Sequence, residues 1–243
     1  MFVLAVSVSL MLSSGNLFAK DIKGDGNLIT KSIPVSKFSK IEIEASVEVN
    51  YSQAPHQGNL EFTVDQNLLD YYDISARAEV LHIKLKEEYK NDIRLKPTKS
   101  VITVSSETLK GIEIAGSTIF NFCTTFTSEN LTIELAGSNK IFAKKFPVNM
   151  GSCSIETAGA NELNLTGKIG KADLEISGAG TVNALDCKFG KLAVDISGSG
   201  TVEAYVTDKL DVEISGSGNV SYKGDPKVTS DIAGLGKVKK LKS

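Results

Sequence analysis

The sequence is short of the residues on which most catalytic and metal chemistry rests. It has two histidines, His56 and His82, three cysteines, no tryptophan, and arginine only at Arg77 and Arg94 among its 243 residues. Two histidines leave little material for a histidine-based metal or acid/base centre. Three cysteines exclude a disulfide-dense scaffold. The net charge of −2 argues against nucleic-acid binding through basic excess. A hydrophobic share of 41% argues against bulk disorder. There is no phosphate loop, no nucleophile elbow and no cysteine spacing that suits a metal knuckle.

What is present begins with an uncharged segment, residues 1–19. Phe2 to Leu12 is an apolar run, a Ser13-Ser14-Gly15-Asn16 break follows, and Ala19 precedes the charged Lys20-Asp21. This reads as a secretory signal. A transmembrane anchor needs about 20 predominantly apolar residues, and the run is too short and too polar. The expectation is that 1–19 is removed and that 20–243 is one domain without a spanning segment, exported to the periplasm or cell surface.

The second half, 109–243, repeats. A small-Gly step recurs at Gly116, Gly137, Gly159, Gly178, Gly198, Gly216 and Gly234, at intervals of 21, 22, 19, 20, 18 and 18. A degenerate copy has Ala45 in the glycine place. Two residues before each glycine stands Ile114, Leu135, Thr157, Ile176, Ile196, Ile214 or Ile232, with further apolar columns four residues before and four after. Period-two alternation of this kind marks half-buried strands. A unit near 20 residues suits one turn of a parallel β-helix better than a hairpin array, sandwich or barrel. About seven to eight coils are expected. Two residues past the glycine come Thr118, Asn139, Asn161, Gly180, Gly200, Gly218 and Gly236. Gly and Asn tolerate positive φ, so this place is expected to be left-handed.

The first part, 20–108, is less regular and is expected to form wider coils that cap one end. Lys20 to Thr30 reads as a mobile lead-in. Ile41, Ile43, Val47, Val49 and Tyr51 alternate as strand, as do Leu60-Phe62-Val64 and Leu81-Ile83-Leu85. The charged stretch Lys84 to Lys99 reads as an exposed loop or hairpin. Lys237, Lys239, Lys240 and Lys242 crowd the last coil, where lysine discourages edge pairing.

Gly24-Asp25-Gly26-Asn27, Ile33-Pro34-Val35 and Phe38-Ser39-Lys40-Ile41-Glu42-Ile43 resemble the opening of a bacterial family of exported proteins, the putative auto-transporter adhesins with a head GIN domain. Ile-Ser-Gly-Ala-Gly at 176–180 and Ile-Ser-Gly-Ser-Gly at 196–200 and 214–218 are similar to that family's hallmark. The resemblance implies an all-β, right-handed parallel β-solenoid and an exported location, with the adhesin role attached to the family. It transfers no binding residue.

Three residues before each glycine lies an acid: Glu113, Glu134, Glu156, Glu175, Asp195, Glu213 and Asp231. Alternation turns this column outward, with Glu42 extending it and Asp173 and Asp211 beside it. Two readings compete, a solvated face and a calcium-binding row. Carboxylate pairs on a β-helix could also cleave polysaccharide. Even repetition favours the solvated face, so no enzyme, metal or cofactor is expected. Cys153 falls in an apolar column and reads as a buried thiol, although export could oxidise one cysteine pair. The expected partners are an envelope glycan or an envelope protein met through flat outer sheets, where Phe142 points outward, and not nucleic acid. An envelope scaffolding or stress-related module is the alternative.

Overall fold

The computed structural model describes residues 19–242, so the signal-like segment lies outside the described residues apart from Ala19. The irregular part forms β1 (Lys20–Lys23), β2 (Leu28–Pro34), β3 (Lys40–Glu44), β4 (Glu48–Gln53), β5 (Asn59–Asp65), β6 (Tyr72–Arg77), β7 (Val80–Leu85), β8 (Ile93–Lys96) and β9 (Ser100–Ser106). The repeating part forms β10 (Gly111–Gly116), β11 (Ile119–Phe122), β12 (Phe126–Gly137), β13 (Lys140–Gly159) and β14 (Glu162–Gly178). It continues through β15 (Thr181–Gly198), β16 (Thr201–Gly216), β17 (Asn219–Lys223), β18 (Lys227–Gly234) and β19 (Lys237–Lys240).

Successive strands of the repeat pair in parallel and in register. Ile176 lies beside Ile196, and Ile196 beside Ile214. Leu135 lies beside Thr157, and Thr157 beside Ile176. All are buried. Each winding therefore adds one layer to a continuous apolar column at about 4.8 Å spacing. Each isoleucine removed from water contributes about 1.5–3 kcal/mol. The long strands bend through corners, which divides every winding into three faces, here numbered in chain order from the face that ends at the small-Gly step. The result is a parallel β-solenoid of about six turns. Seven glycines on one seam bound six turns, fewer than a count of motif copies suggests.

The irregular part is stacked out of chain order. β3 lies between β10 and β7, and β4 between β11 and β9, all parallel. The chain begins in the second winding, passes outward to build the end winding from β7 and β9, then returns to start the regular stack. Ala45 does take the glycine place, because Ile43 pairs with Ile114. Antiparallel β6 against β7, and β5 against β9 and β2, cover that end, so the edges of β7 and β9 are paired.

The lead-in is pinned rather than mobile. β1 pairs with β8, so the charged stretch holds a strand as well as a loop. Asp65, without solvent exposure, accepts from the Gly26 N–H at 2.9 Å and the Thr98 N–H at 2.8 Å. Its burial alone would raise its pKa, but these N–H groups outweigh that and hold the carboxyl below its usual value. Gly24 leaves room for it, since a Cβ there would lie 2.3 Å from the Asp65 carboxyl carbon. At the opposite end Val228 and Ile232 of β18 are each 37% exposed and Leu235 81%.

The two glycines of the motif do different work, and the expectation at the second was wrong. The first glycine carries the positive φ, from 103° at Gly159 to 147° at Gly116. Gly180, Gly200, Gly218 and Gly236 do not, nor do Asn139 and Asn161. At Gly200 a Cβ would lie 2.9 Å from Ile176 Cγ2 and 3.1 Å from Ile196 Cγ2, so the glycine makes room for β-branched neighbours. Where Leu135 and Thr157 stand in that column, buried asparagines fill the corner instead. Asn139 Oδ1 accepts the Thr118 N–H at 3.0 Å, and Asn161 Oδ1 accepts the Asn139 N–H at 2.9 Å.

Candidate functional site

The acidic column forms as the alternation requires, on the outside of the first face. Glu113, Glu134, Glu156, Glu175, Asp195, Glu213 and Asp231 stand beside one another on consecutive windings. Glu42 and then His82 continue the row at the capped end. There the charges are matched. Lys40 Nζ lies 3.1 Å from Glu42 and 2.9 Å from Glu113, and His82 Nδ1 lies 3.0 Å from Glu42. Partial burial opposes the Lys40 charge, yet the hydrogen bonds to Glu113 and Glu42 prevail and hold its pKa above the usual lysine value.

From Glu134 onward no lysine among the described residues forms an ion pair with the column. Burial, then the charges of Glu175 and Glu134, push the Glu156 carboxyl up. Two unit charges about 4.8 Å apart in water repel by about 0.9 kcal/mol before screening, which a folded sheet tolerates. Among the described residues no three His, Cys, Asp or Glu side chains converge as a metal ion requires. The carboxylates stand side by side on a flat sheet, whereas calcium wants about 6–8 oxygens around it.

Beside the acids the same face carries a row the sequence reading passed over. Lys171, Lys191, Lys209 and Lys227 are in register. Lys171 pairs with Asp173 at 2.7 Å and Lys209 with Asp211 at 2.5 Å. These are exposed pairs of small energetic worth. The signal was available: each lysine stands four residues before an acid of the ladder. The next face carries a row of amides, Asn50, Asn121, Asn164 and Asn183, interrupted by a half-buried Phe142 that points outward. Asn121 Nδ2 donates to Asn50 Oδ1 at 2.9 Å, and Asn183 Nδ2 to Asn164 Oδ1 at 3.1 Å. A groove of about 910 Å³ opens at the corner between the third face and the first, over Leu109 and Met150. Sequence could not show it, since its walls come from four windings.

The cysteines are free thiols. Burial pushes Cys153 and Cys187 up to about 12. Cys153 neighbours Ala172, while Cys187 neighbours Gly167, which neighbours Val148. The two therefore sit two windings apart, about 9 Å along the axis, beyond the about 7 Å Cα separation that a disulfide spans. No helix among the described residues is long and apolar enough to cross a membrane.

No curated protein matches the chain. Solved structures do. That of a putative lipid binding protein from Parabacteroides distasonis ATCC 8503 is 29% identical over 92% of this chain and 100% of that one, with a TM-score of 0.78. That of a putative adhesin from Bacteroides fragilis NCTC 9343 is 22% identical over 90% of this chain and all of that one, with a TM-score of 0.82. A putative adhesin from Parabacteroides merdae ATCC 43184 is 24% identical over 92% of this chain and 100% of that one, at a TM-score of 0.65. The last two show a shared fold. The family model described as "Putative auto-transporter adhesin, head GIN domain" matches residues 37–226. With the in-register solenoid and the opening motifs agreeing, the chain belongs to the family of putative auto-transporter adhesins with a head GIN domain.

Proposed function

We propose that this protein is an exported, non-catalytic binding scaffold of the cell envelope, an adhesin-type module that meets a glycan through its outer surface. One observation carries the reading. The acidic and lysine side chains of the first face stand in evenly spaced, solvent-facing rows on a packed solenoid, which is an extended contact surface rather than a pocket with an acid and a base in unequal surroundings. The family's adhesin designation and the secretory character of 1–19 support export. The interior is filled by side chains such as Phe120, Phe126, Ile141 and Leu163, all without exposure. A lipid, suggested by one structural neighbour, would therefore have to bind on the outside.

The test has two arms. Protease shaving of intact cells should remove the protein if it is on the surface and spare it if it is periplasmic. Incubation with a panel of acidic and neutral glycans should give retention without released oligosaccharides. Release of fragments, or retention of none, overturns the reading. The half-exposed Phe142 favours a second one, a scaffolding module that recognises an envelope protein. A Phe142→Ser variant that lost an envelope protein in pull-down while keeping its glycans would support that reading.

A further inference from the structure

We infer that the corner between the third face and the first is a trough for a linear acidic polysaccharide, an inference that rests on the glycan reading above and names its ligand class and its place. Gly151, Gly170 and Gly190 stack along this corner. A Cβ on Gly170 would lie 2.6 Å from the Gly151 carbonyl oxygen, and one on Gly190 2.6 Å from that of Gly170. A Cβ does not fit at these three places, so the backbone is bare at Gly151 and Gly170, while the Asp208 carboxylate of the next winding reaches within 3.7 Å of where a Cβ on Gly190 would lie. Lysines flank it on both sides. Lys168 and Lys188 neighbour each other on one wall, and Lys171, Lys191, Lys209 and Lys227 follow one another on the opposite wall.

These charges are incompletely matched. Lys171 and Lys209 have aspartate partners, and Lys188 lies over the Tyr205 ring, 5.4 Å from its centroid. Lys168, Lys191 and Lys227 form no ion pair among the described residues. Like charges held one winding apart, about 4.8 Å, repel. A ligand carrying negative groups at a similar repeat along its length relieves that repulsion at several places at once. Toward the capped end the trough runs into the groove, whose walls offer Ser128, Asn130 and Asn149, groups that hydrogen-bond to hydroxyls. Glu129 occupies the corner on the winding before Gly151, and Asp208 on the one after Gly190. These acids stand at the two ends of the glycine run, while the lysine row of the first face continues past Asp208 to Lys227. Nucleic acid fits less well. Single strands are held chiefly by aromatic stacking platforms, and Tyr205 is the one aromatic side chain in the lysine rows.

The experiment measures binding of the intact chain to polygalacturonate, to neutral dextran and to single-stranded DNA of matched charge, at low and at physiological salt. The comparison is with Lys168→Gln/Lys188→Gln/Lys191→Gln. A control, Lys31→Gln/Lys37→Gln/Lys99→Gln, removes three exposed charges elsewhere. Circular dichroism melts confirm that both triple variants fold. We expect salt-sensitive binding of polygalacturonate, at least tenfold weaker in the trough variant and unchanged in the control, with dextran and DNA weaker throughout. If polygalacturonate binds the trough variant as it binds the parent, the trough is wrong while the glycan reading stands. DNA binding as tightly as polygalacturonate overturns the ligand class. If no glycan binds the parent chain, both readings fall together.

Discussion

The two glycines of the corner can be told apart by substituting each with alanine. At Gly198, φ is +140° and a Cβ would lie 2.6 Å from the Gly178 carbonyl oxygen. Holding an L-residue in such a conformation costs about 1–3 kcal/mol. Moving that carbonyl weakens its hydrogen bond from the Ser199 N–H, now 2.8 Å, for about 1 kcal/mol more. Gly198→Ala should therefore cost about 2–4 kcal/mol. At Gly200 the backbone is unstrained and the obstacles are the Ile176 and Ile196 methyls at 2.9 and 3.1 Å. That is overpacking against side chains that can turn away, so Gly200→Ala should cost about 1–2 kcal/mol. Urea midpoints followed by circular dichroism give both values. The decisive arm is a double-mutant cycle with Ile176→Leu, which removes the β-branch and keeps the volume. It should recover about 0.5–1 kcal/mol of the Gly200→Ala loss and none of the Gly198→Ala loss. Equal costs, or equal coupling to Ile176→Leu, would refute the division of labour.

Three further outcomes follow from the same columns. Glu156→Gln removes the centre of the unmatched carboxylate row and should stabilise by about 0.5–1 kcal/mol at pH 7 and low salt, the gain shrinking as salt is added. The folded chain holds the Glu156 proton more tightly than the unfolded chain, whose value is near 4.5. Parent stability therefore falls as pH rises from there through the folded value, and the advantage of the variant should vanish below about pH 4.5 in parallel melts. Asn161→Ala strands the buried Asn139 N–H, now 2.9 Å from its acceptor, and should lower stability by about 2–3 kcal/mol; a change below about 0.5 kcal/mol in urea titration would show that the corner does not need the amide. The Thr157 hydroxyl is buried with no hydrogen-bond partner, so Thr157→Val should raise the melting temperature, by about 1 kcal/mol in stability.

Much of the architecture was legible because the solenoid repeats one decision. A residue such as Ile196 is buried for the same local reason as Ile176 and Ile214, so spacing alone placed the columns, the outward acids and the motif glycines. Order among the first strands was not legible. That β3 lies between β7 and β10, rather than at the end of the stack, is settled by which pairings close that end, and the strands offer equivalent alternating surfaces. The lead-in was misread for a related reason. Asp21, Asp25 and their glycines look solvated in sequence, and distant residues, Asp65, Asn67 and Arg94 among them, hold them in place.

The corner shows the same divide at the scale of one side chain. Asn139 and Gly200 occupy equivalent places, and composition suggested a shared backbone need. Space decided instead, because an isoleucine methyl fills that corner in one winding and an asparagine amide fills it in another. The sequence by itself determined the repeat, its inward and outward rows and the family, since these depend on periodicity along the chain. The tertiary structure alone decided the lysine-flanked trough and the matched end of the acidic row, since both are made by residues that become neighbours only when windings stack across the axis.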